Sequence, residues 1–196
     1  MLVSEFLVIA AVIYAAISVT KYLFRRIRLY ITIKSLSKTE GVYVHIESIL
    51  PFLLPKTSRM PAAVVSVWGR TYAVRIFNSI SGAHTVHFAS PKFVSVSVKA
   101  PGATKARIFG RRVTAVKLDS ESAYFARTVI LPEMTDTVCD ETIMIFNPAP
   151  RELTYVTREK SSVRVAFSGD TLMGMRVFTR KTFANFIDRA SRGFFT

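Results

Sequence analysis

The sequence predicts an α+β domain held on an N-terminal transmembrane helix. Three observations predict it: a first stretch nearly free of charge, a long middle that alternates like β-strands between turn signals, and an amphipathic stripe at the C-terminal end.

The apolar run from Phe6 to Val19 is preceded by one charge, Glu5, and extends through Tyr22, Leu23 and Phe24 if Lys21 turns its ammonium toward the headgroups. So extended, it reaches the roughly 20 residues that a helix needs to cross about 30 Å of hydrocarbon. A cleaved signal peptide wants its positive charge before the apolar stretch, and here the charge lies after it. Residues 1–24 are therefore assigned as a transmembrane anchor and residues 25–40 as a basic juxtamembrane segment. Lys21, Arg25, Arg26, Arg28 and Lys34 form a collar expected to contact anionic lipid. With these charges all C-terminal to the span, the positive-inside rule predicts a single-pass protein of the cell membrane, N-terminus outside and domain cytoplasmic.

Residues 41–196 are expected to form one domain, long enough for a real core. The chain carries a formal charge of +14, and six Lys/Arg against Glu5 before residue 39 leave +9 on the remainder. A basic domain suits an anionic partner, lipid headgroups first and then nucleic acid, and a membrane protein partner is the other candidate. Cys139 is the single cysteine, which excludes an intramolecular disulfide and a multi-cysteine zinc site.

Taken in order, Val42 to Leu54 recurs at helical spacing, with a kink or break expected at Pro51. Ala63–Trp68 and Thr71–Phe77 flank Gly69-Arg70 as a hairpin. Strands are expected near Thr85–Ala89, Phe93–Val98, Val113–Leu118 and Tyr124–Leu131, and Ile143–Phe146 reads as a buried central strand. Val163–Phe167 and Leu172–Phe178 read as a second hairpin with a Gly-Asp turn. A final helix capped by Thr179 places Phe183, Phe186, Ile187 and Ala190 on one face. The sum is about eight strands in one mostly antiparallel or mixed sheet, with a C-terminal helix.

A helix, then a hairpin, further strands and a terminal helix resembles, in topology alone, the restriction-endonuclease-like core. That resemblance implies magnesium held by carboxylates on the central hairpin. The corresponding positions read Ala62-Ala63 and Val74-Arg75-Ile76, and no Asp or Glu occurs between Glu47 and Asp119. The alternative is thus a membrane-tethered, nucleic-acid-binding form without catalytic acids.

No catalytic, metal or cofactor site is predicted. His84-x-x-His87 is the one histidine pair and lacks a third ligand nearby in sequence. Ser168-Gly169-Asp170 reads as a turn, and Glu133, Asp136, Asp140 and Glu141 read as a solvated acidic loop. Lys105, Arg107, Arg111, Arg112 and Lys117, with Phe109 among them, form the densest basic stretch outside the collar and a second candidate for an anionic partner. The expectation is an interaction or scaffold module rather than an enzyme.

Overall fold

The computed structural model describes residues 2–53, 61–78, 84–90, 93–99, 114–117, 123–131, 138–156 and 163–194. α1 (Leu2–Ser35) is one unbroken helix of 34 residues, about 51 Å long at 1.5 Å per residue. A 3₁₀ turn (Leu36–Lys38) ends it. Then follow β1 (Val42–His45), α2 (Leu50–Leu53), β2 (Ala63–Val67), β3 (Arg70–Asn78), β4 (His84–Ser90), β5 (Phe93–Lys99), β6 (Thr114–Lys117) and β7 (Ala123–Ile130). The chain continues through β8 (Glu141–Asn147), β9 (Glu152–Val156), β10 (Val163–Val165), β11 (Thr171–Leu172), β12 (Met175–Thr179) and α3 (Arg180–Ser191).

The strands form two six-stranded sheets, ordered β1-β2-β3-β8-β12-β11 and β10-β9-β4-β5-β7-β6. A mixed-sheet region between a long apolar helix and a C-terminal helix agrees with the α+β expectation, but one sheet has become two. The reason lies in pairings that local alternation does not encode: β3 with β8, β8 with β12 and β4 with β9 are parallel and join distant parts of the chain.

Alternation along the first sheet sorts side chains into two cores. Tyr72, Val74 and Ile76 of β3, Ile143 and Ile145 of β8 and Phe178 of β12 face the helices, where Leu29, Ile33 and Leu36 of the helical arm and Phe183, Phe186, Ile187 and Ala190 of α3 cover them. Phe77, Met144, Phe146 and Val177 point the other way and meet Val86, Phe88 and Leu153 of the second sheet. The layers are therefore helices, first sheet, second sheet. Each buried Leu, Ile or Phe removes about 1.5–3 kcal/mol worth of apolar surface from water.

β8 is the buried strand foreseen at Ile143–Phe146, flanked on both sides by parallel neighbours. α3 starts as expected: Thr179 Oγ1 accepts from the Thr182 backbone N–H at 3.3 Å, and Thr182 Oγ1 accepts from the Thr179 backbone N–H at 2.9 Å. Thr179→Ala should cost about 1 kcal/mol of stability, the usual value of such a cap. A urea midpoint unchanged from the wild type would contradict that role.

Three local expectations are corrected. Val42–Leu54 is not a helix: Val42 to His45 pairs with β2 as an edge strand, and only Leu50–Leu53 is helical. Branched and aromatic residues at 42–44 favour the strand, and Pro51 sits in the first turn of α2, where a missing N–H costs nothing. The first hairpin turns at Trp68-Gly69 and not Gly69-Arg70, with φ of 49° and 85°, and Arg70 pairs with Val67. Two left-handed residues suit the twist of a two-residue hairpin. Val163–Val165 pairs with β9 in the second sheet, while the C-terminal hairpin is the short β11–β12 pair around Met173-Gly174. Asp170 Oδ2 accepts from Phe167 N at 2.8 Å and closes the 167–170 turn upon itself.

Candidate membrane anchor and its C-terminal end

α1 has two halves with opposite surroundings. An 18-residue window of it has mean hydropathy 2.0 and none of it is buried. The large apolar residues Phe6, Leu7, Ile9, Val12, Ile13, Ile17 and Val19 all stand exposed. From Arg26 onward the same helix joins the core through a stripe that includes Leu29, Tyr30 and Ile33. One helix is thus long and apolar enough to cross a membrane, and its C-terminal end is part of the domain that follows.

The collar residues separate accordingly. Lys21, Arg25, Arg28 and Lys34 are exposed, and the Lys34 ammonium lies 5.9 Å from the centroid of the Tyr30 ring. Arg26 is 1% exposed, with its guanidinium carbon 3.6 Å from the centroid of the Tyr22 ring. Burial lowers its pKa to about 10, so it stays charged at neutral pH. Among the described residues none accepts a hydrogen bond from its Nε, Nη1 or Nη2.

Beside it the ends of β3 and β8 meet the helix. Asn147 Nδ2 donates to the Arg25 carbonyl at 3.5 Å and to Asn78 Oδ1 at 3.4 Å, and Asn78 Nδ2 donates to the Phe52 carbonyl of α2 at 3.3 Å. These amides were not singled out in the sequence. The Asn147-Pro148 dipeptide, a cis peptide bond here, was visible only as turn chemistry. The burial of Arg26 did have a signal: Tyr22, Arg26, Leu29, Tyr30 and Ile33 recur at i, i+4, i+7, i+8 and i+11, a helix face continuing into the core.

Of the second basic candidate, Lys105, Arg107, Arg111 and Arg112 lie outside the described residues; Lys117 ends β6. The acidic loop divides: Glu133 and Asp136 lie outside the described residues, Asp140 Oδ2 accepts from Thr71 N at 2.6 Å, and Glu141 pairs with Arg176 Nε at 3.2 Å. Both described acids hold the first sheet. Among the described residues no group of three or more His, Cys, Asp or Glu stands together. The positions that the nuclease resemblance would need acidic are interior: Ala63 pairs with Val74, and Ala62, Ala63, Val74, Arg75 and Ile76 are all buried.

His87 is buried on β4, with Nδ1 2.9 Å from Thr154 Oγ1 on the neighbouring β9. Burial pushes its pKa below the ordinary histidine value. The unfolded chain then binds a proton more readily than the folded one. Its contribution to stability is therefore intact above about pH 6.5 and falls as pH drops through that value toward the lowered folded one. Urea midpoints of wild type and His87→Gln should diverge in pH dependence between about pH 7 and about pH 5, the variant losing less. Parallel curves would remove His87 from that account.

A cleft of about 240 Å³ opens between the sheets near Phe146, Pro150, Leu153, Phe167 and Val177. Ser168 Oγ lies 2.5 Å from Thr182 Oγ1 at its rim, a contact that ties the 167–170 turn to α3. No protein-family model matches the chain, and no curated protein and no solved structure is significantly similar to it.

Proposed function

We propose that the protein is a single-pass, membrane-anchored interaction or scaffold module. It holds a basic domain at the cytoplasmic face against anionic lipid or an acidic face of a protein partner. The observation that carries this reading is the division of α1, bare and apolar over its first two thirds and built into the domain core over its last third. A helix of that kind seats the domain directly beneath the bilayer. Exposed Lys21, Arg25 and Arg28 stand on one side of α1 at the exit point, with Lys34 about 15 Å further along the helix. Basic groups there gain about 1 kcal/mol each against an anionic leaflet.

Alkaline carbonate extraction of membranes from cells expressing the full chain tests the anchor. The protein should remain in the pellet, and release into the supernatant would defeat the reading. Exchanging Lys21, Arg25, Arg28 and Lys34 together for Gln should leave it in the pellet but randomise its orientation in a protease-protection assay.

A further inference from the structure

Arg26 differs from every other described residue of the collar. Its guanidinium is shut from solvent, and all three nitrogens lack an acceptor among the described residues. Tyr22 covers the flat face of the group at 3.6 Å, one helical turn nearer the span. A ring face satisfies the cation's face and not its five in-plane N–H donors. Next to it in the chain, the Arg25 carbonyl accepts from Asn147 Nδ2 at 3.5 Å, and the described segments that meet this part of α1, residues 22–30, 50–53, 76–78 and 145–148, contain no Asp or Glu. A buried charge is costly unless it is paired and hydrogen-bonded. A planar fork of donors with no acceptor and no acid among these described residues matches an anion with several acceptor oxygens, the phosphate group above all.

Position narrows the source. Arg26 lies two residues beyond the expected end of the span, about 3 Å along the helix axis. That depth is the headgroup layer rather than the hydrocarbon. Tyr22 is half-buried and stands on the span side of the guanidinium, the side from which a headgroup would approach.

We propose that Arg26, gated by Tyr22, is a binding site for the phosphate of one anionic lipid headgroup in the inner leaflet. This deepens the anchor reading and rests on it. The site is discrete: Arg25 and Arg28 contribute to a screened surface charge, whereas Arg26 selects a single ligand.

The test uses the full chain, purified in detergent, delipidated, and followed by thermal unfolding during titration with phosphatidylglycerol, phosphatidylcholine or inorganic phosphate. Phosphatidylglycerol should raise the transition of the wild type and of Arg164→Gln, an exposed change on β10 away from the collar, and Arg26→Gln should need at least tenfold more lipid for the same shift. Arg26→Met keeps the test open if Arg26→Gln fails to fold; without lipid it should match or exceed the wild type, and it should lose the lipid response. Equal responses in the wild type and the folded Arg26 variants would overturn the proposal. A response to inorganic phosphate with none to lipid would overturn the lipid source. Failure of the anchor reading shows separately, as extraction by carbonate with the Arg26-dependent lipid response intact.

Discussion

A chain that begins at residue 39 is expected not to fold. It keeps every strand and α3 but lacks Leu29, Ile33 and Leu36, all buried in the core between the helices and the first sheet. At about 1.5–3 kcal/mol for each buried aliphatic side chain, their removal takes about 5–9 kcal/mol. The whole stability of an ordinary domain is about 5–15 kcal/mol. A chain that begins at residue 25 keeps all three and should unfold in a single cooperative urea transition. A cooperative transition of similar midpoint in the shorter chain would show that the helix end is an ornament on an independent domain. The consequence for function is mechanical. The apolar stretch and the domain share one unbroken helix, so in the proposed anchoring the domain's height and rotation under the bilayer are set by α1 and not by a flexible linker.

Gly41→Ala is expected to be among the most damaging single substitutions on the surface. Gly41 has a φ of +72°, and a Cβ there would stand 2.6 Å from Cε2 and 2.7 Å from Cζ2 of Trp68. The ring is held in place, because Trp68 Nε1 donates to the Ser191 carbonyl at the end of α3 at 2.6 Å. Left-handed backbone costs an L-residue about 1–2 kcal/mol, and displacing the ring forfeits a hydrogen bond worth about 1 kcal/mol. The sum is about 2–3 kcal/mol. Made in a Trp68→Ala background, the same change should cost only the backbone part, about 1–2 kcal/mol. Urea midpoints of the four proteins supply the cycle, and equal costs in both backgrounds would mean that ring and glycine do not interact.

Where the sequence carried a period, the structure follows it. Phe183, Phe186, Ile187 and Ala190 bury one face of α3, and Ile143 to Phe146 lies at the middle of the first sheet because a strand covered on both faces reads as a continuous apolar run. Short segments carry a weaker period. Val42 to Leu54 has apolar spacing compatible with either helix or strand, and its partner β2 decided the outcome. Val163–Val165 and Leu172 resemble two arms of a hairpin, yet β9 captures the first arm because the 167–170 turn folds back on itself. The division into two sheets depends on β3–β8 and β4–β9 pairing across long stretches of chain, which no local pattern carries. At the candidate site the basic composition of the collar was legible and its partition was not. Charge counting treats Arg25, Arg26 and Arg28 alike, whereas the hundred-degree step of the helix turns Arg26 inward with Leu29 and Ile33 and leaves the other two outside.

The lone Cys139, half-buried two residues before β8, supplies the most direct measurement of the central claim. Intact cells expressing the full chain are treated with a membrane-impermeant maleimide, before and after permeabilisation, beside an Ala-for-Cys139 control. A domain held at the cytoplasmic face predicts labelling of Cys139 only after permeabilisation. Equal labelling in intact cells would place the domain outside and contradict the account.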